Sequence, residues 1–294
     1  MADDQVVIRA PAKVNLSLRV RPRDWSGRHP LLTLFQAVTL FDLLEVVPDD
    51  EDTLTIEGAE LDDGPENLVW RAVEAVRASV GRDPRLRIHL TKRIALAAGL
   101  GGGSADAAAA LEGLRHLLGS RIPSGSIAEI AEGLGSDVPF ARLGGTAMGA
   151  SYGERLSPLD PAPGGYALAI VVPPFELSTP AVYTTWDQLD GPEGPKIDGR
   201  QLPPSLRAQG PLQNDLYPAA RFIAGDLADW HADLEGLWDR AVMMSGSGPA
   251  LFAFFSDLDE ARGAIDASPS NARAAEAVEP HQRGAERVEE PGAE

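Results

Sequence analysis

A glycine-rich segment near residue 100 runs directly into an alanine-rich helical pattern. Four of the five residues 99–103 are glycine, and Ser104 follows them. Unobstructed backbone N–H groups at the positive N-terminal end of a helix form a favourable cradle for a di- or triphosphate. The Ser104 hydroxyl could cap that helix and also contact phosphate or Mg²⁺. The segment is neither a Walker A loop, which needs a lysine, nor a dinucleotide fingerprint; a flexible turn is the alternative reading.

Two polar side chains alternate with apolar ones shortly after the start of the chain. Residues 13–20 alternate strictly in polarity, which predicts a strand with one face against a core. Lys13 and Asn15 share the polar face. A lysine there could steady a transferring phosphoryl group or lower the pKa of a nearby hydroxyl. The alternative is a solvated surface lysine.

Asp137 lies between a glycine and an apolar run in the segment 134–140. A partly buried carboxylate near Lys13 could accept the proton of an attacking hydroxyl. The alternative is an aspartate that caps a turn. A further segment, 244–250, consists largely of small residues before a predicted strand, and small residues allow a backbone or a ligand to approach closely.

Composition excludes several classes of function. The formal net charge of -18 over 294 residues argues against a general nucleic-acid binder, although a few local cations and N–H groups can still bind a small anion. The absence of cysteine excludes disulfides and thiolate metal sites. No apolar run approaches the roughly 20 residues of a membrane span, and residues 1–4 lack the start of a signal peptide. We expect a cytoplasmic protein.

The elements that must position these residues are predicted from periodicity. Strands and helices occur without regular alternation, which favours an α+β fold. Residues 190–210 predict a loop or mobile insertion, and the tail from residue 268 has the composition of a disordered segment. Strands are predicted at 6–9, 43–47, 53–57, 86–90, 166–172 and 251–255, and helices after Asn67, at 107–118 and at 126–134.

Three motifs occur in the order found in one kinase superfamily. Pro11-Ala12-Lys13-Val14-Asn15-Leu16, residues 99–108 and residues 244–250 resemble the three motifs of the GHMP kinases. Residues 29–36 and Gly-Ser-Asp-Val-Pro-Phe at 135–140 are most similar to the branch that phosphorylates a cytidine-diphosphate alcohol of the non-mevalonate isoprenoid pathway. The resemblance covers roughly residues 6–260.

This resemblance implies a two-lobed α+β fold with the active site in the cleft between the lobes. Residues 1–150 would form the N-terminal lobe with the phosphate loop, and residues 151–267 the C-terminal lobe, followed by the tail 268–294. The implied reaction is ATP-dependent phosphorylation of the 2-hydroxyl of the acceptor. A monomer or homodimer that binds only small molecules, without nucleic acid or membrane, is expected.

The resemblance also implies a role for each site residue. Asp137 would be the catalytic base and Lys13 would orient the hydroxyl and stabilise charge. ATP, with Mg²⁺ that Ser104 could contact, would be held by Gly99, Leu100, Gly101, Gly102, Gly103 and Ser104, with Asn67 and Lys92 at the adenosine pocket. The acceptor would be bound by Asn15, Arg28, His29, Thr179 and Tyr183, with His29 on the cytosine edge and Tyr183 stacked on the cytosine ring.

The chain departs from the family pattern at a few positions. Arg28 replaces an aromatic residue that would complete a sandwich around the cytosine, and a guanidinium can also stack on a base. Residues 95–97 are Ala-Leu-Ala where the family has a proline, and Tyr217 stands in place of a glutamate. Two alternatives follow: a GHMP kinase with another alcohol acceptor, such as homoserine or a mevalonate-type alcohol, or a non-catalytic ligand sensor. The retention of Lys13 and Asp137 argues against the sensor.

Overall fold

The computed structural model describes residues 5–81, 84–160 and 165–288. The strands are β1 (Val6–Val20), β2 (Leu31–Pro48), β3 (Thr53–Glu57), β4 (Leu86–Thr91), β5 (Thr146–Ala150), β6 (Arg155–Leu159), β7 (Ala167–Val172), β8 (Lys196–Ile197), β9 (Leu212–Gln213), β10 (Met243–Met244), β11 (Leu251–Phe255), β12 (Ala274–Val278) and β13 (Glu286–Arg287). The helices are α1 (Leu68–Val80), α2 (Gly102–Leu118), α3 (Ser126–Leu134), α4 (Val138–Leu143), α5 (Thr179–Gln188), α6 (Tyr217–Ile223), α7 (Asp226–Trp238) and α8 (Leu258–Asp266).

The N-terminal lobe is built on a largely antiparallel sheet. Its strand order is β13-β1-β2-β4-β3, with β5 paired to β2 and β6 paired to β5. Helix α2 packs on this sheet through Leu111 and Leu114, which are buried with Ile8 and Val46 in the main core. The sheet continues to Leu159 through β6, beyond the predicted lobe boundary at residue 150.

The C-terminal lobe contains the antiparallel sheet β10-β11-β7-β12. Every residue of β7 is buried, because Leu168 and Ile170 face the main core while Ala169 and Val171 face a second core. Helices α5–α8 contribute to that second core, with Trp186, Leu227 and Trp238 among its buried side chains. A strand that is covered on both faces has a continuous apolar sequence, and the strand predicted at 166–172 is confirmed.

Strand β1 links the two cores. The predicted alternation at residues 13–20 is confirmed, but Val14 lies in the main core and Leu18 in the second core. The polar face is buried as well: Lys13 and Asn15 are 7% and 4% exposed. The β1–β2 register shifts on either side of these two residues, between Pro11 and Lys13 and between Asn15 and Ser17. Such irregularities re-aim side chains, and here they direct the polar pair toward the cleft.

Of the two predictions for irregular segments, one is confirmed in part and one is wrong. The segment 190–210 is mostly a loop, as predicted, with only the two-residue strand β8 and short 3₁₀ turns, but it is anchored, because Ile197, Leu202 and Leu206 are buried in the main core. The segment after residue 268 forms β12, which pairs with β7, and β13, which pairs with β1. β12 is the last strand of its sheet and pairs with β7 alone, and alanines make up three of its five residues. Residues 289–294 of the predicted tail, and residues 1–4 of the predicted start, lie outside the described residues.

The helical predictions are confirmed: α1 begins directly after Asn67, α3 has the predicted bounds, and only α2 begins earlier than predicted. Helix α2 begins at Gly102, five residues before the predicted start, so the glycine-rich segment supplies its first turn. None of the helices in the described ranges has the combination of length and apolar character that crossing a bilayer needs.

Candidate active site

The glycine-rich loop is shaped by close backbone contacts. Gly99 has φ +80°, and a Cβ there would lie 2.2 Å from the carbonyl oxygen of Ser245. Gly101 has φ +75° and precedes helix α2, and a Cβ there would lie 2.9 Å from Cγ of Lys13. Both positions need glycine because of the positive φ and the lack of space. The loop is thereby packed between β1 and the small-residue segment 244–250, with the start of α2 facing the cleft.

Lys13 is held against this loop by hydrogen bonds. Its Nζ donates to Oδ1 of Asn15 at 2.5 Å and to the carbonyl oxygen of Gly99 at 2.9 Å. Its backbone N–H donates to the carbonyl oxygen of Leu100 at 2.9 Å. The third neighbour of Nζ is Oδ2 of Asp137, at 3.5 Å. The surface-lysine reading is therefore wrong, because the ammonium group is buried and directed at a carboxylate.

Asp137 stands at the beginning of α4. Its side chain makes no capping hydrogen bond to that helix, so the turn-cap reading is also wrong. The carboxylate is 32% exposed and has Lys13 as its ion-pair partner. A carboxylate that is open to the cleft and adjacent to an ammonium group can accept a proton from a hydroxyl placed between them.

Asn15 belongs to a network that sequence reasoning found only in part. Its Nδ2 donates to Oγ1 of Thr33 at 2.8 Å, and its backbone N–H donates to Oγ of Ser245 at 3.1 Å. The Ser245 hydroxyl donates in turn to the carbonyl oxygen of Gly99 at 2.9 Å. Nδ2 of Asn214 donates to the carbonyl oxygens on either side of Ser245, those of Met244 and Gly246. The lysine face of β1, the glycine-rich loop and the segment 244–250 thus form one hydrogen-bonded unit.

His29 and Tyr183 meet at another part of the cleft. Their ring centroids are 5.0 Å apart, and Trp186 meets His29 edge-on at 5.6 Å. Burial raises the pKa of the Tyr183 phenol, and the negative charge of Asp137 adds to that effect. Thr179, at the start of α5, shares a hydrogen bond of 2.7 Å with the hydroxyl of Ser247. The start of α5 therefore contacts the segment 244–250 beside the loop.

Asp187 is a site residue that sequence reasoning missed. Its Oδ1 lies 2.8 Å from Nε2 of His29, and its Oδ2 accepts a hydrogen bond from Nε of Arg23 at 2.7 Å. Partial burial opposes ionisation, but the hydrogen bonds from His29 and Arg23 outweigh it and hold the pKa of Asp187 below its ordinary value. Tyr152 was missed as well: its ring lies 3.7 Å from Cζ of Arg28. Neither residue stands in a recognisable motif, because the contacts depend on how the loop at 21–30 folds back.

One cavity of about 610 Å³ is lined by most of these groups, whereas Asp187 and Trp186 line a second cavity. The predicted site residues that line it are Lys13, Asn15, Arg28, His29, Gly99, Leu100, Gly101, Gly102, Gly103, Ser104, Asp137, Thr179 and Tyr183. The glycine cradle suits the phosphates of a nucleotide, since any side chain there would fill the space. Within the described ranges no cluster of three or more His, Asp or Glu side chains could hold a metal ion.

Asn67 does not line the cavity. Its Oδ1 accepts a hydrogen bond from the backbone N–H of Val69 at 2.9 Å, and its Nδ2 donates to the carbonyl oxygen of Asp62 at 2.7 Å. The side chain caps α1. The next residue, Leu68, lines the cavity, and the place of Asn67 at the adenosine pocket stays a prediction.

The side chain of Lys92 is paired with two buried carboxylates. Its side chain is 1% exposed, and its ammonium group lies between the carboxylates of Asp42 and Asp106, 2.7 Å from Oδ2 of the latter. Burial raises the pKa of Asp106 to about 7, with Asp42 adding to the rise and Lys92 opposing it. A Cβ on Gly102 would lie 3.2 Å from this ammonium group. The side chain supports the loop from beneath, and the place of Lys92 at the adenosine pocket stays a prediction.

Comparisons with known proteins agree with this geometry. The chain matches the family described as GHMP kinases N terminal domain over residues 67–145. It is 41% identical to a 4-diphosphocytidyl-2-C-methyl-D-erythritol kinase of Salinispora tropica, over 84% of this chain and 82% of the relative. A relative with the same name from Pelotomaculum thermopropionicum is 38% identical, over 86% of this chain and 90% of the relative.

Solved structures show the same fold. A crystal structure of 4-(cytidine 5'-diphospho)-2C-methyl-D-erythritol kinase superposes with a TM-score of 0.74 at 34% identity, over 93% of this chain and 99% of that one. A homoserine kinase from Cytophaga hutchinsonii has a TM-score of 0.71 at 20% identity, over 98% of both chains, and supports the fold alone. The resemblance inferred from the motifs is confirmed. This chain belongs to the 4-diphosphocytidyl-2-C-methyl-D-erythritol kinase family of the GHMP kinases.

Proposed function

We propose that this protein transfers the γ-phosphate of ATP to the 2-hydroxyl of 4-diphosphocytidyl-2-C-methyl-D-erythritol, a step of the non-mevalonate isoprenoid pathway. The observation that carries the proposal is the approach of Nζ of Lys13 to Oδ2 of Asp137, 3.5 Å apart in the cavity that the glycine-rich loop also lines. A kinase needs a base for the hydroxyl, a positive charge near it and a cradle for the phosphates. The cavity offers all three.

In the proposed reaction the acceptor oxygen attacks the γ-phosphorus in line with the departing β,γ-bridging oxygen. The hydroxyl proton passes to the carboxylate of Asp137, the new oxygen–phosphorus bond forms, and ADP leaves. Lys13 orients the hydroxyl and offsets the negative charge that develops on the transferred group. Backbone N–H groups at Gly101–Gly103 and the N-terminal end of α2 hold the phosphates. Positioning and electrostatics provide most of the rate enhancement in such transfers.

Mg²⁺ is the metal expected with ATP, because kinases bind it through one or two protein oxygens and the substrate phosphates. Ser104 supplies a hydroxyl on the cavity wall next to the phosphate cradle, and it is the residue we propose for that contact. When bound, Mg²⁺ would neutralise phosphate charge.

The acceptor side of the proposal rests on aromatic and imidazole groups. Tyr183 offers a ring on which a base can stack, and His29 offers ring nitrogens for the edge of a cytosine. His29 is 5.0 Å from Tyr183 and anchored by Asp187, so the two groups are held together before any ligand arrives. In this proposal the N-terminal lobe supplies the catalytic pair and phosphate loop, and α5 of the C-terminal lobe supplies the stacking ring.

An ADP-release assay across acceptors tests the function. The purified protein would be given ATP and Mg²⁺ with 4-diphosphocytidyl-2-C-methyl-D-erythritol, homoserine or mevalonate in parallel. Rapid ADP release with the cytidine-diphosphate alcohol alone is the expected result. Faster ADP release with homoserine or mevalonate would show that the acceptor is a different alcohol. Binding of the cytidine compound without ADP release would show that the protein is a ligand sensor and not a kinase.

A further inference from the structure

The other two cationic side chains on the cavity wall have carboxylate partners, and Arg28 has none among the described residues. Lys13 has Asp137 as a carboxylate partner, and Nε of Arg23 is 2.7 Å from Oδ2 of Asp187. Arg28 lines the same cavity. Across residues 5–81, 84–160 and 165–288, its guanidinium has neither a carboxylate within 4.0 Å nor a side-chain hydrogen bond. The exposed Arg28 guanidinium therefore lines the cavity without a direct ion-pair or hydrogen-bond partner among the described side chains, in a protein whose net charge is -18.

Tyr152 fixes the position of that charge. Cζ of Arg28 lies 3.7 Å above the centroid of the tyrosine ring, which is direct stacking contact. The Tyr152 hydroxyl donates to Oδ2 of Asp24 at 2.6 Å and lies 2.9 Å from Oγ of Ser26. The turn is closed by a hydrogen bond from the backbone N–H of Asp24 to the carbonyl oxygen of Arg28. One tyrosine thus holds both ends of the turn that carries the guanidinium.

This arrangement leaves the N–H edge of the guanidinium as the group available to a ligand. Cζ of Arg28 lies over the Tyr152 ring, and the guanidinium N–H groups have no protein acceptor in the described part of the chain. A guanidinium presents paired donors that match phosphate oxygens, and such charge-assisted bonds are stronger than neutral ones. Stacking on the ring also reduces the side-chain entropy lost when a ligand binds.

We propose that Arg28, held on Tyr152, is an anion anchor that binds the diphosphate of a nucleoside-diphosphate acceptor. Tyr152 acts as its positioning residue. The proposal rests on the proposed function for the identity of the acceptor, but the anchor itself requires only a ligand with a base and a diphosphate. It differs from stacking of Arg28 on the base, because a stacking group contributes equally whether or not the ligand carries phosphate.

Equilibrium binding separates the two uses of Arg28. Cytidine and cytidine 5'-diphosphate would be titrated by calorimetry into protein whose ATP site is saturated with the β,γ-imido analogue of ATP. The wild-type protein should bind the diphosphate more tightly than the nucleoside. Arg28→Gln should weaken diphosphate binding about tenfold, the loss of one good charge-assisted contact, and leave cytidine binding within about twofold. Equal weakening of both ligands, or of neither, overturns the anchor.

Tyr152 variants test the positioning role. Tyr152→Leu removes the ring and should reproduce the loss of diphosphate affinity in the same direction, and Tyr152→Phe, which keeps the ring but loses the bonds to the turn, should lose less. The matched control is Arg240→Gln, which removes an arginine that also lies over an aromatic ring, Phe255, and pairs with Glu260. It should leave both affinities unchanged. Diphosphate binding that is normal in Tyr152→Leu overturns the role of Tyr152.

The two proposals can fail separately. ADP release by the wild-type protein with 4-diphosphocytidyl-2-C-methyl-D-erythritol tests the function, whereas the binding titrations need no turnover. Absence of turnover together with a diphosphate preference that Arg28→Gln abolishes rejects the function and retains the anchor. Normal turnover in a protein whose Arg28→Gln variant keeps the preference retains the function and rejects the anchor.

Discussion

The ammonium nitrogen of Lys13 and the carboxylate oxygen of Asp137 lie 3.5 Å apart, although one comes from a strand near the start of the chain and the other from the beginning of α4. The same ammonium group also donates a hydrogen bond to the carbonyl oxygen of Gly99, which belongs to the phosphate loop. The pair and the phosphate loop are therefore held in fixed relation before substrates bind, which is the condition for catalysis by positioning.

Asp137→Asn tests the carboxylate as a base. Asparagine keeps the size of the side chain but cannot take up the hydroxyl proton, so kcat should fall by about 10²–10⁴, the range for general base catalysis. The Kd of ATP should change by less than about threefold, since the phosphates are held by the loop. Asp259→Asn, at an aspartate on α8 whose side chain is 92% exposed, is the control. Turnover of the Asp137→Asn protein at the wild-type rate would remove Asp137 from the mechanism.

The part of the site that sequence reasoning found consists of groups whose local pattern already limits their conformation. Lys13 and Asn15 alternate with buried apolar residues, and Gly99 and Gly101 have no side chain and adjoin a helical pattern. Each of these features is local, so it could be interpreted without knowing the fold. The approach of Asp137 to Lys13 was inferred from a motif shared with a family, because nothing local predicts which distant carboxylate meets a given lysine.

The residues that were missed, and the buried surroundings of Lys92, depend on tertiary contacts. Lys92 is a single lysine in the sequence, and only the fold shows that two buried carboxylates surround it. Asp187 and Tyr152 make their contacts across the cleft to the loop at 21–30. The tail was misjudged because β12 is stabilised by its partner β7, whereas its own composition resembles that of disordered chains. Pairing partners supply order that composition does not reveal.

Asp187→Asn tests the anchoring of His29. The change removes the charge that His29 and Arg23 share, so the KM for the cytidine acceptor should rise by about tenfold, the cost of one charge-assisted hydrogen bond, while the KM for ATP stays the same. Since the pKa of Asp187 is held below its ordinary value, the carboxylate is ionised at neutral pH, and its contribution is lost only as the pH falls through that lowered value. The acceptor KM of the wild type should therefore not change through this group between pH 6 and 8.

The matched control for Asp187 is Asp190→Asn. Asp190 lies just beyond α5 in a left-handed conformation, which asparagine also adopts readily. Steady-state kinetics with each substrate varied in turn should give wild-type values for this variant. A rise in the KM for ATP that equals the rise for the acceptor in Asp187→Asn would mean that the whole cleft had been disturbed, contrary to the assignment.

Gly99→Ala tests the packing of the glycine-rich loop. The new Cβ would lie 2.2 Å from the carbonyl oxygen of Ser245, at a residue with φ +80°, so the loop must separate from the segment 244–250. We expect ATP binding to weaken by at least about tenfold and stability to fall by about 1–3 kcal/mol, as strained backbone positions typically cost. Gly133→Ala in α3 has open space around its Cβ and should stabilise the protein by up to about 1 kcal/mol. Calorimetric titration of ATP and thermal melts would measure both effects. Equal ATP affinity and equal stability in the two variants would contradict the packing argument for Gly99.

Lys92→Met, alone and together with Asp106→Asn, tests the buried charges beneath the loop. Removing the ammonium group leaves the carboxylates of Asp42 and Asp106 buried without it, and breaking such a group costs about 3–5 kcal/mol. Asp42 keeps two backbone partners, because its Oδ1 accepts hydrogen bonds from the N–H groups of Arg93 and Ile94 at 2.6 and 2.9 Å.

The double variant should therefore melt at a higher temperature than Lys92→Met. Asparagine at position 106 removes the carboxylate that has lost its partner, and the remaining charge at Asp42 is still hydrogen-bonded to the backbone. Since the side chains are in direct contact, the two effects should not add. Thermal melts of the wild type, both single variants and the double variant complete the cycle. A double variant whose loss of stability equals the sum of the two single losses would mean that Lys92 and Asp106 do not act as a unit, and that the loop above them is supported in some other way.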